Sequence, residues 1–208
     1  MTNQTLAHQF RIRALLWRAV FLLVALTAAG VQAQTPDSTQ QALNAFDKTT
    51  QDYVRMHRRL ESEIGSIALG TPVDEINRRI GELAAAIRAE RTDARQGDLF
   101  TPNVAHVLRA RISDALFEHR YSADAVRAMG SVDGVDYARV RLEVNGTFPW
   151  RLATAMLPCL IDVLPPLPPE LQYRIVGDDL VLIDIHASLI VDILPHAIVD
   201  LTARTWHR

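Results

Sequence analysis

Four side chains near the C-terminal end of the chain offer the carboxylate and imidazole groups that bind metal ions and transfer protons: Asp184, His186, Asp192 and His196. On a β-strand, Asp184 and His186 share a face, where a carboxylate and an imidazole could hold a cation together. The spacing of the four residues matches no metal-binding signature, and Pro195 interrupts the helix that would place Asp192 and His196 one turn apart. The sequence therefore leaves two interpretations open, a metal site or a set of solvated and turn-forming side chains.

A second group that could do chemistry lies in the N-terminal half. His57 and Glu61 are one helical turn apart, and such neighbours are usually surface partners that add a few tenths of a kcal/mol. We predict a surface pair, with Tyr53 and His57 lining a groove as the alternative.

Sequence signatures of the common enzyme classes are absent. The chain contains no G-x-S-x-G, H-E-x-x-H or C-x-x-C sequence, no phosphate-binding P-loop and no dinucleotide fingerprint. These absences argue against the common hydrolases, zinc proteases, redox proteins and nucleotide enzymes, and we predict no cofactor. They favour a protein that binds or assembles without catalysing a reaction.

The elements that position these residues follow from periodicity. Apolar residues at helical spacing predict a long helix up to Ile64, and Thr71-Pro72 and Thr101-Pro102 indicate the starts of two more. Two shorter helices are predicted, from Ser122 to Met129 and from Pro158 to Leu164.

The period then changes from helical to alternating. Residues 137–144 alternate apolar and polar side chains, which predicts a strand exposed on one face. The fold class is therefore α+β, with N-terminal helices followed by a small antiparallel sheet that contains a C-terminal hairpin.

The hairpin is predicted around Gly177-Asp178-Asp179. A three-residue loop would pair Ile175 with Val181, Tyr173 with Ile183 and Leu171 with Ile185, which gives one continuous apolar face. A two-residue loop would instead set Leu171 against the charged Asp184, so we favour the longer loop. The proline-rich segment 165–169 leads stiffly into this hairpin.

The first 33 residues resemble an export signal. Arginines precede an apolar run of about eleven residues, which is short for a membrane span, and Val31-Gln32-Ala33 fits cleavage before Gln34. An uncleaved membrane anchor is the alternative. We predict a signal peptide over 1–33, a disordered linker over 34–40 and one α+β domain over 41–208, helical in 41–130 and stranded in 136–201.

The charge of the chain limits its partners. The complete sequence has 22 basic and 24 acidic residues, and the leader holds three of the arginines and no acid, so the remainder has a net charge of −5. An acidic domain is a poor partner for nucleic acid or anionic lipid. We predict a periplasmic or secreted protein that contacts the membrane only transiently, through its signal peptide.

Two segments, ARQGDLFTP at 94–102 and LPPLPPELQYRIVG at 164–177, together with LIVDILP at 189–195, resemble a family of uncharacterised exported bacterial proteins. The resemblance extends from about Phe46 to Ile198. It implies one exported domain, and it implies no activity, cofactor or site residue, because no function is known for that family.

The C-terminal apolar segment gives the function hypothesis. Leu189, Ile190, Ile193 and Leu194 form either a core strand or an exposed strip that pairs with an envelope protein or a second copy of the chain. With no catalytic signature present, we predict a non-enzymatic binding or assembly module of the cell envelope. The alternative is a metal-dependent enzyme or small-ligand carrier that uses the cluster of Asp184 and His186.

Overall fold

The helices begin close to the residues that the sequence indicates. The computed structural model describes residues 37–65, 68–130 and 135–199, so the predicted signal peptide lies outside the described residues. The helices are α1 (Ser38–Ile64), α2 (Val73–Glu90), α3 (Pro102–Glu118), α4 (Ala123–Gly130) and α5 (Pro158–Val163). No helix in the described part of the chain is both long and apolar enough to cross a bilayer.

Helix α1 starts earlier than predicted. The side chain of Asp37 accepts a hydrogen bond from Thr39 N, which satisfies one of the amide groups that a helix leaves free at its N-terminus. Residues 38–40, predicted as the end of a disordered linker, are therefore helical. The described residues belong to one compact unit that begins at Asp37.

The sheet confirms the α+β prediction. Three antiparallel strands, β1 (Leu171–Val176), β2 (Asp179–Asp184) and β3 (Leu189–Leu194), lie in the order of the sequence after all the helices. One face packs against the helices through a large apolar cluster that also contains the buried Cys159.

The predicted hairpin register is wrong. The loop has two residues, Gly177 and Asp178, so Ile175 pairs with Leu180 and Leu171 pairs with Asp184. The prediction rejected this register because it places a carboxylate on the apolar face. The fold accepts it because Tyr53 and His57 of α1 and two backbone N–H groups satisfy that carboxylate.

The second face of the sheet is covered by a segment that was predicted as a strand. Residues 137–139 form a 3₁₀ turn, and residues 140–144 lie outside any strand. The half-buried side chains of Val140, Leu142 and Val144 pack with Phe148 against Val181, Ile183, Ile190 and Ile193. The alternation of residues 137–144 thus reflects contact with a sheet face rather than membership of the sheet.

The predicted interaction strip lies inside the protein. Leu189, Ile190, Ile193 and Leu194 are at most 3% exposed, because β3 is covered on both faces. This supports the core-strand interpretation and corrects the exposed-strip prediction, since residues buried in the core cannot contact a partner while the chain is folded.

Candidate functional site

The site is built around a buried carboxylate at the end of β2. Both oxygens of Asp184 accept hydrogen bonds, Oδ2 from the Tyr53 hydroxyl at 2.8 Å and Oδ1 from the backbone N–H groups of His186 and Ala187. The imidazole of His57 lies 2.5 Å from Oδ2 through its Nδ1. Asp184 is fully buried, and four donors surround its two oxygens.

Helix α1 supplies the residues that face Asp184. Tyr53, His57 and Glu61 follow one another at intervals of four residues, so they lie on the same side of the helix. His57 is fully buried against the sheet, and Glu61 is half-buried at the end of the same row.

One nitrogen of His57 is left without a hydrogen bond. Because a carboxylate only accepts, the Nδ1 of His57 carries the proton that it donates to Asp184, and the lone pair of the neutral ring is then on Nε2. This buried Nε2 makes no hydrogen bond and lies 3.4 Å from Oε2 of Glu61. A buried polar atom without a partner needs an explanation.

His186 completes the cluster from the other side. It follows β2, its ring centroid lies 5.3 Å from that of His57, and its Nδ1 lies 2.9 Å from Oε1 of Glu61. One ligand atom from each of His57, Glu61 and His186 lies within 4.8 Å of the other two. We call these three residues the His-Glu-His cluster.

Burial and the charges around the cluster shift the pKa values of His57 and Tyr53, the two side chains that contact Asp184. Burial disfavours the charged imidazole, but the hydrogen bond to Asp184 and the charges of Asp184, Glu61 and Glu170 outweigh it and raise the pKa of His57. Burial, with Asp184 adding to it, raises the pKa of Tyr53 far above its ordinary range. The Tyr53 hydroxyl therefore keeps its proton and remains a donor to Asp184.

Tyr53 is fixed in turn by Arg91 at the end of α2. The guanidinium carbon lies 5.1 Å from the centroid of the Tyr53 ring, within the range of a cation–π contact. Arg91 also donates to Asn145 Oδ1 and to the carbonyl of Val191. This arrangement ties the row of α1 residues to α2 and β3.

A groove of about 670 Å³ lies beside the cluster, between the end of α1, α2 and the residues after β2. Glu61 and His186 line it, with Arg58 and Arg79 as its two cationic side chains. Its apolar lining consists of Ile64, Ile80, Leu83 and Ile185. The volume is in the range of roughly 300–1,000 Å³ that is usual for small-molecule sites.

The donor set of the cluster suits a transition-metal ion. Two imidazoles and one carboxylate form a known catalytic zinc arrangement, in which a fourth position is left for water or substrate. Asp184 holds the far nitrogen of His57, as carboxylates behind metal-binding histidines commonly do. Ligands of one tetrahedral zinc lie roughly 3.3 Å apart. Oε2 of Glu61 lies 3.4 Å from Nε2 of His57, whereas Oε1 of Glu61 lies 2.9 Å from Nδ1 of His186, so the partly exposed side chains of Glu61 and His186 would have to shift for all three residues to bind one ion.

The structure brings together only two of the four metal candidates from the sequence. Asp184 and His186 belong to the site, with Asp184 behind the cluster rather than in it. His196 lies beside the hairpin turn, where its N–H donates to Oδ1 of Asp179.

Asp192 has a structural role. Its buried carboxylate accepts hydrogen bonds from the backbone N–H groups of Gly97, Leu99 and Phe100 and from its own neighbour Ile193. It therefore anchors the loop between α2 and α3 to β3, and its oxygens are committed to these four donors.

Replacing Asp192 with Asn should lower the free energy of unfolding by about 2 kcal/mol, because the amide nitrogen would face a buried N–H group that needs an acceptor. Urea unfolding followed by circular dichroism measures the change. Asp98→Asn is the matched control, since exposed Asp98 accepts from the backbone in the same loop. Equal stability of the two variants would contradict the anchoring role.

The sequence predicts that His57 and Glu61 form a surface pair. The structure corrects this for His57, which is fully buried. The alternative, a groove lined by Tyr53 and His57, is also wrong, because Glu61 and neither of these two residues lines the groove beside the cluster. A signal was present: His57 lies four residues after Tyr53 and three before Leu60, which places it on the apolar stripe of the helix. A histidine on such a stripe needs a buried partner, and only the fold reveals that the partner is Asp184.

Comparisons with known proteins do not assign the chain to a family. No family model, no curated protein and no solved structure matches the chain. The resemblance to exported bacterial proteins therefore stays a prediction, and the geometry of the site is what bears on function.

Proposed function

We propose that this protein is a metal-dependent enzyme of the hydrolytic type, which binds one zinc ion through His57 Nε2, Glu61 and His186. The observation that carries the proposal is the Nε2 atom of His57, which is buried, has no hydrogen bond and lies 3.4 Å from Oε2 of Glu61 in the His-Glu-His cluster. Asp184 supports the assignment, because it holds the Nδ1–H of the ring, so that the Nε2 lone pair points into the cluster once a metal ion displaces the proton that the raised pKa of His57 favours there.

Zinc fits these donors better than calcium or magnesium does. Those harder cations prefer six or more oxygen ligands, or several retained waters, whereas imidazole nitrogens suit zinc and its neighbours in the first transition row. With three protein ligands, the fourth position can hold a water whose pKa the ion lowers toward neutrality, which makes it a nucleophile. The adjacent groove is where a substrate would approach that water.

Zinc titration of the tag-free chain tests the proposal. We expect one zinc ion per chain by calorimetry and elemental analysis, and a loss of affinity of about 100-fold or more in Glu61→Gln and in His186→Ala. Both residues are partly exposed, so these variants should stay folded. The controls are Glu63→Gln, an exposed acid on the same helix, and His196→Ala, the histidine near the hairpin turn.

Two outcomes would contradict the metal site: no zinc bound by the natural chain, or equal zinc affinity in the site variants and the controls. Hydrolysis of p-nitrophenyl acetate by the zinc-loaded chain, compared with the metal-free chain, then tests catalysis. Tight zinc binding without zinc-dependent turnover would make the protein a metal or ligand carrier instead. The envelope location and assembly role remain predictions from the sequence.

A further inference from the structure

The lining of the groove indicates the kind of molecule that the site takes. Ile80 is half-buried on α2, and together with Ile64 and Ile185 it presents aliphatic surface to the groove. Leu83 forms the buried end of this surface. An aliphatic lining of this extent favours a ligand with an apolar body, because covering it removes apolar area from water.

The polar groups are concentrated beside the His-Glu-His cluster. Arg58 precedes Glu61 by one helical turn, so the two side chains leave α1 on the same face. Arg58 donates through Nε to Glu170, yet its side chain remains 57% exposed. A planar guanidinium beside a cation site offers a second contact to a carboxylate that already binds the metal.

Resting on the metal site proposed above, we infer that the groove binds a medium-chain aliphatic carboxylate, or the acyl group from which one is released. The carboxylate lies at the zinc ion and Arg58, and the aliphatic chain lies against Ile64, Ile80 and Ile185. Hydrolysis of an acyl ester breaks the bond between the carbonyl carbon and the leaving oxygen. Water supplies the new oxygen on that carbon and the proton on the leaving alcohol, so the products are a carboxylate, a proton and an alcohol.

Calorimetric titrations with butyrate, hexanoate, octanoate and 1-octanol test the inference on zinc-loaded and on metal-free protein. Affinity should rise about threefold for each added methylene group, or roughly 80-fold from butyrate to octanoate. Octanoate should bind more tightly than 1-octanol when zinc is present. Affinity that is independent of chain length would overturn the inference.

Two pairs of variants test which residues bind the aliphatic chain of the ligand and which bind its carboxylate. Ile80→Ser should weaken octanoate binding about tenfold and leave zinc affinity unchanged, whereas Val73→Ser should change neither, because Val73 is 72% exposed on the same helix and away from the groove. Arg58→Gln should weaken octanoate about tenfold without affecting 1-octanol. Arg55→Gln, an exposed arginine on the same helix, is its control. Equal effects within either pair would also overturn the inference.

The two proposals fail in different ways. If zinc binds but no dependence on chain length appears, the ligand assignment is wrong and the metal site stands. If zinc does not bind but octanoate binds to the metal-free chain and is weakened by Ile80→Ser, the metal site is wrong and the groove still takes an aliphatic carboxylate. Urea midpoints of each variant confirm that the chain is folded.

Discussion

Replacing Asp184 with Asn should lower the free energy of unfolding by about 3–5 kcal/mol. The carboxylate accepts from Tyr53, His57 and two backbone N–H groups in a site closed to water. An asparagine has one acceptor oxygen, so its amide group would face donors that then lack an acceptor. Urea unfolding measures the loss.

Asp179→Asn is the matched control for Asp184→Asn. Asp179 begins the same strand, is half-buried and accepts one backbone hydrogen bond from His196, so we expect a change below about 1 kcal/mol. A loss in Asp184→Asn no larger than in this control would show that the buried carboxylate contributes little to the fold.

The carboxylate of Asp184 should also affect the zinc affinity of the metal site. Groups that orient a metal-binding histidine typically change affinity by about 10–100-fold when they are removed. Tyr53→Phe serves as a milder variant if Asp184→Asn is too unstable to titrate, because it removes one hydrogen bond to Asp184 and keeps the ring. We expect weaker zinc binding in both variants. Unchanged zinc affinity in both would show that Asp184 does not influence the metal site.

Replacing Ile190 with Asp should unfold the chain. Ile190 is 1% exposed and packs with Phe148, Val181 and Ile183 on the second face of the sheet. The substitution removes a buried aliphatic group and places a carboxylate where no partner meets it. The combined loss should be at least about 5 kcal/mol, comparable to the whole stability of many domains.

Circular dichroism and size-exclusion chromatography measure the result for Ile190→Asp. The control is Ile161→Asp, a 59% exposed position on α5, where we expect a change within about 0.5 kcal/mol. A folded Ile190→Asp protein that has lost self-association would restore the exposed-strip interpretation, which the burial of β3 contradicts.

Both large effects come from the sheet, and the coverage of its second face is one of the features in which it differs from the sequence-based expectation. The prediction assumed a sheet with one solvated face, as antiparallel sheets often have. Here residues 137–153 cover the second face, so nearly all of β2 and β3 is buried. The same burial explains why the C-terminal apolar strip is core and why a carboxylate in β2 requires partners.

The sequence by itself determined the order and type of most elements. Periodic apolar residues and Thr-Pro starts placed α1, α2 and α3, because a helical stripe is a local property of the chain. Gly177 placed the hairpin, since a tight reversal needs the positive φ that it adopts. The α+β class followed from the change of period along the chain.

Only the tertiary structure decided which polar residues meet. Asp184 and His57 are 127 positions apart, and nothing local indicates that one satisfies the other. The same pairing set the hairpin register, because a charge opposite Leu171 is tolerated only when α1 supplies its partners. Asp192 and His196 are close to Asp184 in sequence but lie outside the site. Asp192 binds the loop between α2 and α3, and His196 lies beside the hairpin turn, where β3 ends.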